Sequence, residues 1–122
     1  CCMKIYIAHS SNFPFREKLY APLRASELNA RHEIFLPQET GNEDVTRELI
    51  KSQNLVIAEV SMPSTGSGIE LGWADAAGVP ILCIYEKGAK YSSSLDYVCK
   101  NFVEYSGADD MLQKISAFIQ QI

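Results

Sequence analysis

The 122-residue sequence predicts an α/β fold: a single three-layer domain, residues 1–122, whose open parallel sheet of five strands lies between two layers of helices. Three observations carry that expectation. Apolar runs of strand length alternate with helix-like periodicity along the whole chain. The run from Asn54 to Val60 is rich in β-branched residues on both faces, as a strand covered on both sides should be. Gly78 followed by Pro80 closes a helical pattern just before the next apolar run, the punctuation expected between a crossover helix and its strand.

In order, Lys4–His9 reads as a first strand, and Phe15–Ala30 as one amphipathic helix with Leu19, Leu23 and Leu28 near one stripe. His32–Leu36 is a second strand and Asp44–Gln53 a second helix. Asn54–Val60 is the third strand, Ile69–Ala77 a helix, Ile81–Tyr85 the fourth strand and Phe102–Tyr105 a short fifth. Ala108–Ile122 closes the chain as a helix, with Asp109 and Asp110 in its first turn. Met111, Leu112, Ile115, Phe118, Ile119 and Ile122 form its apolar face. Five strands with helical crossovers of one hand are most economically arranged in the flavodoxin/Rossmann-like order 2-1-3-4-5. The ligand crevice of such a sheet lies beyond the carboxyl ends of strands one and three, where the loops His9–Phe15 and Ser61–Gly68 meet. No repeat, linker or low-complexity segment interrupts the pattern.

Composition narrows the function classes. The net charge of −4 comes with scattered Lys and Arg, none adjacent to another, which argues against tracking a nucleic acid polymer. No apolar segment approaches the ~20 residues that span a bilayer, so no membrane partner is expected. Cys1 and Cys2 precede Met3, which reads as the natural start, and no signal peptide is visible. The four cysteines match neither a zinc spacing nor a disulfide framework. Cys83 within an apolar run reads as a small buried hydrophobe, and a reducing cytoplasm fits best.

The chemistry concentrates in Asn54–Ala77, NLVIAEVSMPSTGSGIELGWADAA. An apolar strand runs into a loop of Ser, Pro and Gly, then a helix with Glu70 expected in its first turn. Ser61, Ser64, Thr65 and Ser67, with Gly66 and Gly68, read either as a solvated turn or as hydroxyls and amides that hold a phosphate or sugar. The loop is neither a P-loop nor a dinucleotide G-x-G-x-x-G fingerprint. Glu70 reads either as a carboxylate favourable to the helix dipole or as a nucleophile at a sugar carbon, kept ionised by helix N–H groups. Tyr6, a core residue by default, stands where its phenol can reach Glu70. His9 could serve a nearby serine in acyl transfer, but no G-x-S-x-G elbow supports this. Glu59 in an apolar strand must be hydrogen-bonded, either to brace the site or to fasten the strand end.

These residues resemble the nucleoside 2-deoxyribosyltransferase-like superfamily, in particular its 2'-deoxynucleoside 5'-phosphate N-hydrolase branch. LVIAEVSMPSTGSGIELGWA looks like that branch's strand–loop–helix signature, and KIYIAHS is similar to its opening strand. The resemblance continues through ILCIY toward Ser92–Ser94. It implies Glu70 as nucleophile, Tyr6 as the catalytic tyrosine and Ser64 as a phosphate contact. Ala8, His9, Ser10, Ser11 and Asn12 would line the nucleotide, with Gln38, Gly66 and Gly68. Ser92 would reach across a homodimer interface into a neighbour's site. The implied reaction cleaves or transfers the N-glycosidic bond of a (deoxy)nucleoside or its 5'-monophosphate through a glutamyl–sugar ester, without metal or other cofactor. Two departures stand out. The family's catalytic aspartate falls on Thr46, with Asp44 two residues earlier and Glu43 three, so Asp44 is the candidate acid. Gln38 stands where relatives often have histidine. The missing aspartate keeps open a binding or sensing module without turnover. IAHSS also looks a little like the first strand end of TIR-type domains.

Overall fold

In the computed structural model, which describes residues 2–41 and 44–122, five strands pair in parallel: β1 (Lys4–His9), β2 (Glu33–Phe35), β3 (Leu55–Glu59), β4 (Ile81–Glu86) and β5 (Phe102–Tyr105). Their order is β2-β1-β3-β4-β5, as expected. In register, Tyr6 lies beside Val56, Ala8 beside Ala58 and His9 beside Glu59. The α-helices among the described residues are α1 (Ala21–Arg24), α2 (Glu27–Arg31), α3 (Arg47–Lys51), α4 (Thr65–Ala76) and α5 (Gly107–Gln121).

Alternation along the strands divides the core between two sheet faces. Ile5, Ile7, Leu55 and Ile57 face a cluster built from Leu19, Leu23, Leu28 and, on α5, Met111 and Ile115. Tyr6, Ala8, Val56 and Ala58 face the other, with Ile50 of α3 and Leu71 and Ala74 of α4. Both faces of β1 and β3 are therefore dry, which is why neither strand shows a polar alternation. Tyr6 emerges on the α4 side, and His9, three residues later, on the side of α1.

The single helix expected over Phe15–Ala30 is broken. A π-helical turn at Arg16–Tyr20 leads into α1, with the Ala21 N–H donating to the Arg16 carbonyl five residues back. Pro22 is the cause: it has no N–H to give, so the ladder widens just before it. The chain then stops at Ala25, and extended Ser26 starts α2 afresh. The stripe of Leu19, Leu23 and Leu28 survives, all three being buried. The helix expected from Asp44 begins at Arg47, because the Thr46 hydroxyl accepts the Leu49 N–H and caps it there. A 3₁₀ turn, Ser93–Tyr97, was not anticipated. Gly78, at φ +75°, ends α4, as its place after the periodic run implied. Exposed Ile122 lies past the end of α5 and outside its apolar face.

The largest displacement concerns α4. It starts at Thr65, four residues before the expected Ile69, because Ser64 caps it and its hydroxyl accepts the Ser67 N–H at 3.2 Å. Thr65, Gly66, Ser67 and Gly68 are thus helix, and its first turn carries no acidic residue. Glu70 sits one turn deeper than the sequence suggested.

Candidate active site

Beyond the carboxyl ends of β1 and β3 lies a cavity of about 360 Å³. Three segments line it. The end of β1 contributes Tyr6, His9 and Ser11, the segment after β2 contributes Pro37, Gln38 and Val45, and the start of α4 contributes Ser64, Gly66, Ser67 and Glu70. Each arrives by local folding: β1 turns Tyr6 toward α4, while Glu70, one turn after Ser67, shares its helix face.

At the centre the Tyr6 hydroxyl donates to Glu70 Oε2 at 3.0 Å. Burial pushes the phenol far above its ordinary value, and the neighbouring Glu70 carboxylate pushes it further, so Tyr6 remains a donor at every working pH. Burial likewise raises Glu70 above the usual carboxylate range, while the Tyr6 hydrogen bond pulls it back in part. This corrects the expectation that helix N–H groups depress Glu70. Those amides lie a turn away, and desolvation dominates.

His9 is fully engaged. Its Nδ1 lies 3.0 Å from the Ser10 carbonyl and its Nε2 2.6 Å from the Tyr20 hydroxyl, with Phe15 stacked on the ring at 4.4 Å. Neither ring nitrogen meets a serine hydroxyl, so no acyl-transfer pair exists here. The Tyr20 hydroxyl also accepts the Gln38 amide N–H at 3.0 Å, and Gln38 Nε2 donates to Ser11 Oγ at 2.9 Å. Tyr20 thereby fixes residues on two sides of the cavity. Sequence reading passed over it as one apolar position in a helix.

Glu59 fastens the strand end. It accepts from the Ser61 amide, the Ser61 hydroxyl and the Tyr105 hydroxyl, and Ser61 Oγ accepts the Glu86 N–H. The base of the loop that presents Ser64 is therefore rigid.

Not every candidate gathers in the cavity. Ala8 is wholly buried in the sheet, and Ser10 is buried with its hydroxyl accepting the Asn12 N–H. Asn12 and Asp44 are exposed and outside the lining, although Val45, next to Asp44, is part of it. Glu43 lies outside the described residues. Gly68 and Ser92 line a second cavity of about 290 Å³, which shares Ser64 and Ser67 with the first. Among the described residues Glu70 is the only carboxylate lining the first cavity. Ser67, one of the loop hydroxyls read as a phosphate or sugar contact, is buried with no hydrogen-bond partner for its hydroxyl among the described residues. No group of three or more His, Cys, Asp or Glu side chains among those residues is placed to hold a metal ion. None of their helices is long and apolar enough to cross a membrane.

Comparison with known proteins adds the following. No family profile matches the chain. A protein of Trichoplax adhaerens named as a 2'-deoxynucleoside 5'-phosphate N-hydrolase is 34% identical over 92 residues, 67% of this chain and 64% of that one. The chain thus spans less than two thirds of the length of the curated relatives it matches. Among solved structures, a CMP N-glycosidase of Clostridium botulinum superposes with a TM-score of 0.65 at 23% identity, covering 93% of this chain and 98% of that one. A 2-deoxyribosyltransferase of Leishmania mexicana does so with a TM-score of 0.53 at 23% identity, covering 67% and 63%. At such identities the superpositions speak for the fold alone, whereas the Trichoplax match speaks for the branch. Sheet order, sequence match and superposition agree: the chain has the fold of the nucleoside 2-deoxyribosyltransferase-like structures and is similar in sequence to 2'-deoxynucleoside 5'-phosphate N-hydrolases.

Proposed function

We propose that the chain cleaves the N-glycosidic bond of a (deoxy)nucleoside 5'-monophosphate, with Glu70 as nucleophile. The observation that carries this reading is the Tyr6–Glu70 hydrogen bond inside the cavity, one helical turn from the Ser67 amide and the capped start of α4. A carboxylate held in this way has one oxygen occupied by the phenol and one left for carbon. Attack of that oxygen on C1' forms the glycosyl ester as the C1'–N bond breaks, and its electron pair leaves with the base, which takes up a proton. Water then adds to C1', the ester C–O bond breaks toward Glu70, and a proton passes to solvent. The Thr65 and Gly66 amides, in the first turn of α4 beside Ser64, suit a 5'-phosphate. Ser11 and Gln38 suit the sugar or base.

Incubation with each deoxynucleoside 5'-monophosphate, followed by chromatography for free base, tests the reading. Release by the wild type and its loss in Glu70→Gln is expected; no release at high enzyme concentration overturns it. Base exchange between nucleosides would mark a transferase.

A second reading is favoured by one observation: Thr46 is tied to α3 as its cap, and Asp44 is exposed. With no second carboxylate among the described residues on the cavity, the chain would bind nucleotides as a sensing module. Tight binding with turnover absent, and affinity unaltered by Glu70→Ala, would select it. In the catalytic reading Asp44 swings in to protonate the base, and Asp44→Asn lowers kcat.

We further propose a homodimer in the cytoplasm. Exposed Met62 lines the cavity that holds Ser92, and exposed Ile69 and Tyr97 lie close in sequence to its lining residues, an apolar margin suited to a second copy. Cys83 and Cys99 are buried free thiols, which suits a reducing compartment. A sedimentation profile of monomer alone at high concentration contradicts the dimer.

A further inference from the structure

We propose that Tyr20, which does not line the cavity, is a positioning residue of this site: its one hydroxyl locks together the end of β1 and the segment after β2. The inference rests on the glycosidase reading for its kinetic consequences, though not for its structural ones.

Proton counting fixes the arrangement. The Gln38 amide N–H can only donate, so the Tyr20 oxygen accepts it at 3.0 Å. The phenol has a single proton left, and its other partner, at 2.6 Å, is His9 Nε2. Nε2 must therefore accept. The Ser10 carbonyl can only accept, so His9 Nδ1 carries the ring proton at 3.0 Å. One tautomer, neutral with hydrogen on Nδ1, satisfies all three bonds at once. Tyr20 is 5% exposed and His9 7%, so water is a poor replacement for a lost partner. Other ties on the segment after β2 include the Arg24–Glu39 ion pair at 2.8 Å and the Arg16 hydrogen bond to the Glu39 carbonyl at 3.4 Å, both exposed and weak clamps by comparison.

Protonating His9 breaks the arrangement. Nε2 would then donate, two N–H groups would converge on the Tyr20 oxygen, and the phenol proton would lose its acceptor. Burial already disfavours the charged ring, although the Ser10 carbonyl favours it. The charged and titratable groups around the pair include Arg16 in the same turn, Arg24 of α1, Glu59 beside His9 on β3, Glu39 after β2, and Tyr6 and Glu70 across the cavity. Arg16 and Arg24 oppose a positive charge on the ring, whereas Nε2 bonds the Tyr20 hydroxyl and the Glu59 oxygens accept from Ser61 and Tyr105. Gln38, released, would no longer hold its amide against Ser11 at the substrate.

The test compares Tyr20→Phe with the wild type in two ways. First, hydrogen exchange of the Gln38 backbone amide is read in the ligand-free proteins at neutral pH. Strong protection in the wild type and its loss in the variant is expected. Second, KM for a cleaved deoxynucleotide is measured from about pH 5 to 8, and the variant-to-wild-type ratio is taken, so that titration of the substrate's own phosphate cancels. The ratio should be about tenfold near pH 7.5, with kcat changed far less, from two lost neutral hydrogen bonds. It should fall toward one as His9 is protonated, since the wild type then loses what the variant already lacks. Unaltered Gln38 exchange overturns the proposal, and so does a ratio near one or constant across pH. If the wild type cleaves no nucleotide, the glycosidase reading falls, and the exchange result alone upholds or overturns the lock.

Discussion

Tyr6 acts on Glu70 in two opposed ways: it helps bury the carboxylate, and it donates to it at 3.0 Å. Without the phenol the carboxylate loses the bond that stabilises its charge, so Tyr6→Phe moves the acid limb of kcat/KM to higher pH and lowers the plateau about 10- to 100-fold, as loss of a hydrogen bond to a charged group implies. An acid limb that stays in place contradicts this. Ser67 behaves oppositely. Its buried hydroxyl has no partner among the described residues, and alanine is the better helix former, so Ser67→Ala raises the urea midpoint of the free protein. A lower midpoint would reveal a bond to the hydroxyl. Residue identity was legible in the sequence here. LVIAEVSMPSTGSGIELGWA pointed to Glu70 and Ser64, KIYIAHS to Tyr6 and His9, and the loop that follows it to Ser11. Tyr20 was not legible, because its role depends on a phenol oxygen meeting two segments far away in sequence, and periodicity reports only that a position is apolar.

Elements begin and end where side chains satisfy free backbone groups, and this is where sequence reading was least able to place them. Ser64 and Thr46 each cap a helix, and each moved a boundary: α4 starts four residues early and α3 three residues late. The glycines at 66 and 68 read as loop, yet the Ser64 cap holds them in the first turn of α4. Pro22 split a helix whose leucine stripe looked continuous. The strands were placed within a residue or two, because apolar runs on both faces of a buried strand leave little choice. The Thr46 hydroxyl is spent on the Leu49 N–H, so Thr46→Ala costs about 1 kcal/mol of stability in denaturant unfolding and leaves kcat unchanged. A fall in kcat without loss of stability would instead give Thr46 a part in the chemistry. Gly78 at φ +75° meets no crowding, so Gly78→Ala costs about 1–2 kcal/mol through backbone strain alone.

Across the whole molecule, buried ionisable groups set how stability follows pH. Glu59 and Glu70 bind protons more tightly folded than unfolded, where their ordinary value is 4.5. Their contribution is complete below that value and is lost as pH rises through the folded ones. His9 is shifted the other way, so its contribution is present above 6.5 and lost as pH falls through its folded value. Glu70→Gln removes one of the first pair, so its stability advantage over the wild type grows from pH 4 to pH 7.5 in urea titrations while activity disappears. A wild type more stable than Glu70→Gln at pH 7.5 contradicts that sign. The fold's order was legible at this scale, since five alternating units leave few topologies, and the order put β1 beside β3 and so Tyr6 within reach of α4. The depth of Glu70, and hence the direction of its titration, was not, because desolvation belongs to the packed molecule. The most direct measurement of the central claim is peptide mass spectrometry of enzyme quenched in acid during turnover of a deoxynucleoside 5'-monophosphate. A deoxyribose 5-phosphate adduct on the peptide carrying Glu70 is the predicted result. Continued base release by Glu70→Gln, with no adduct in the wild type, would contradict it.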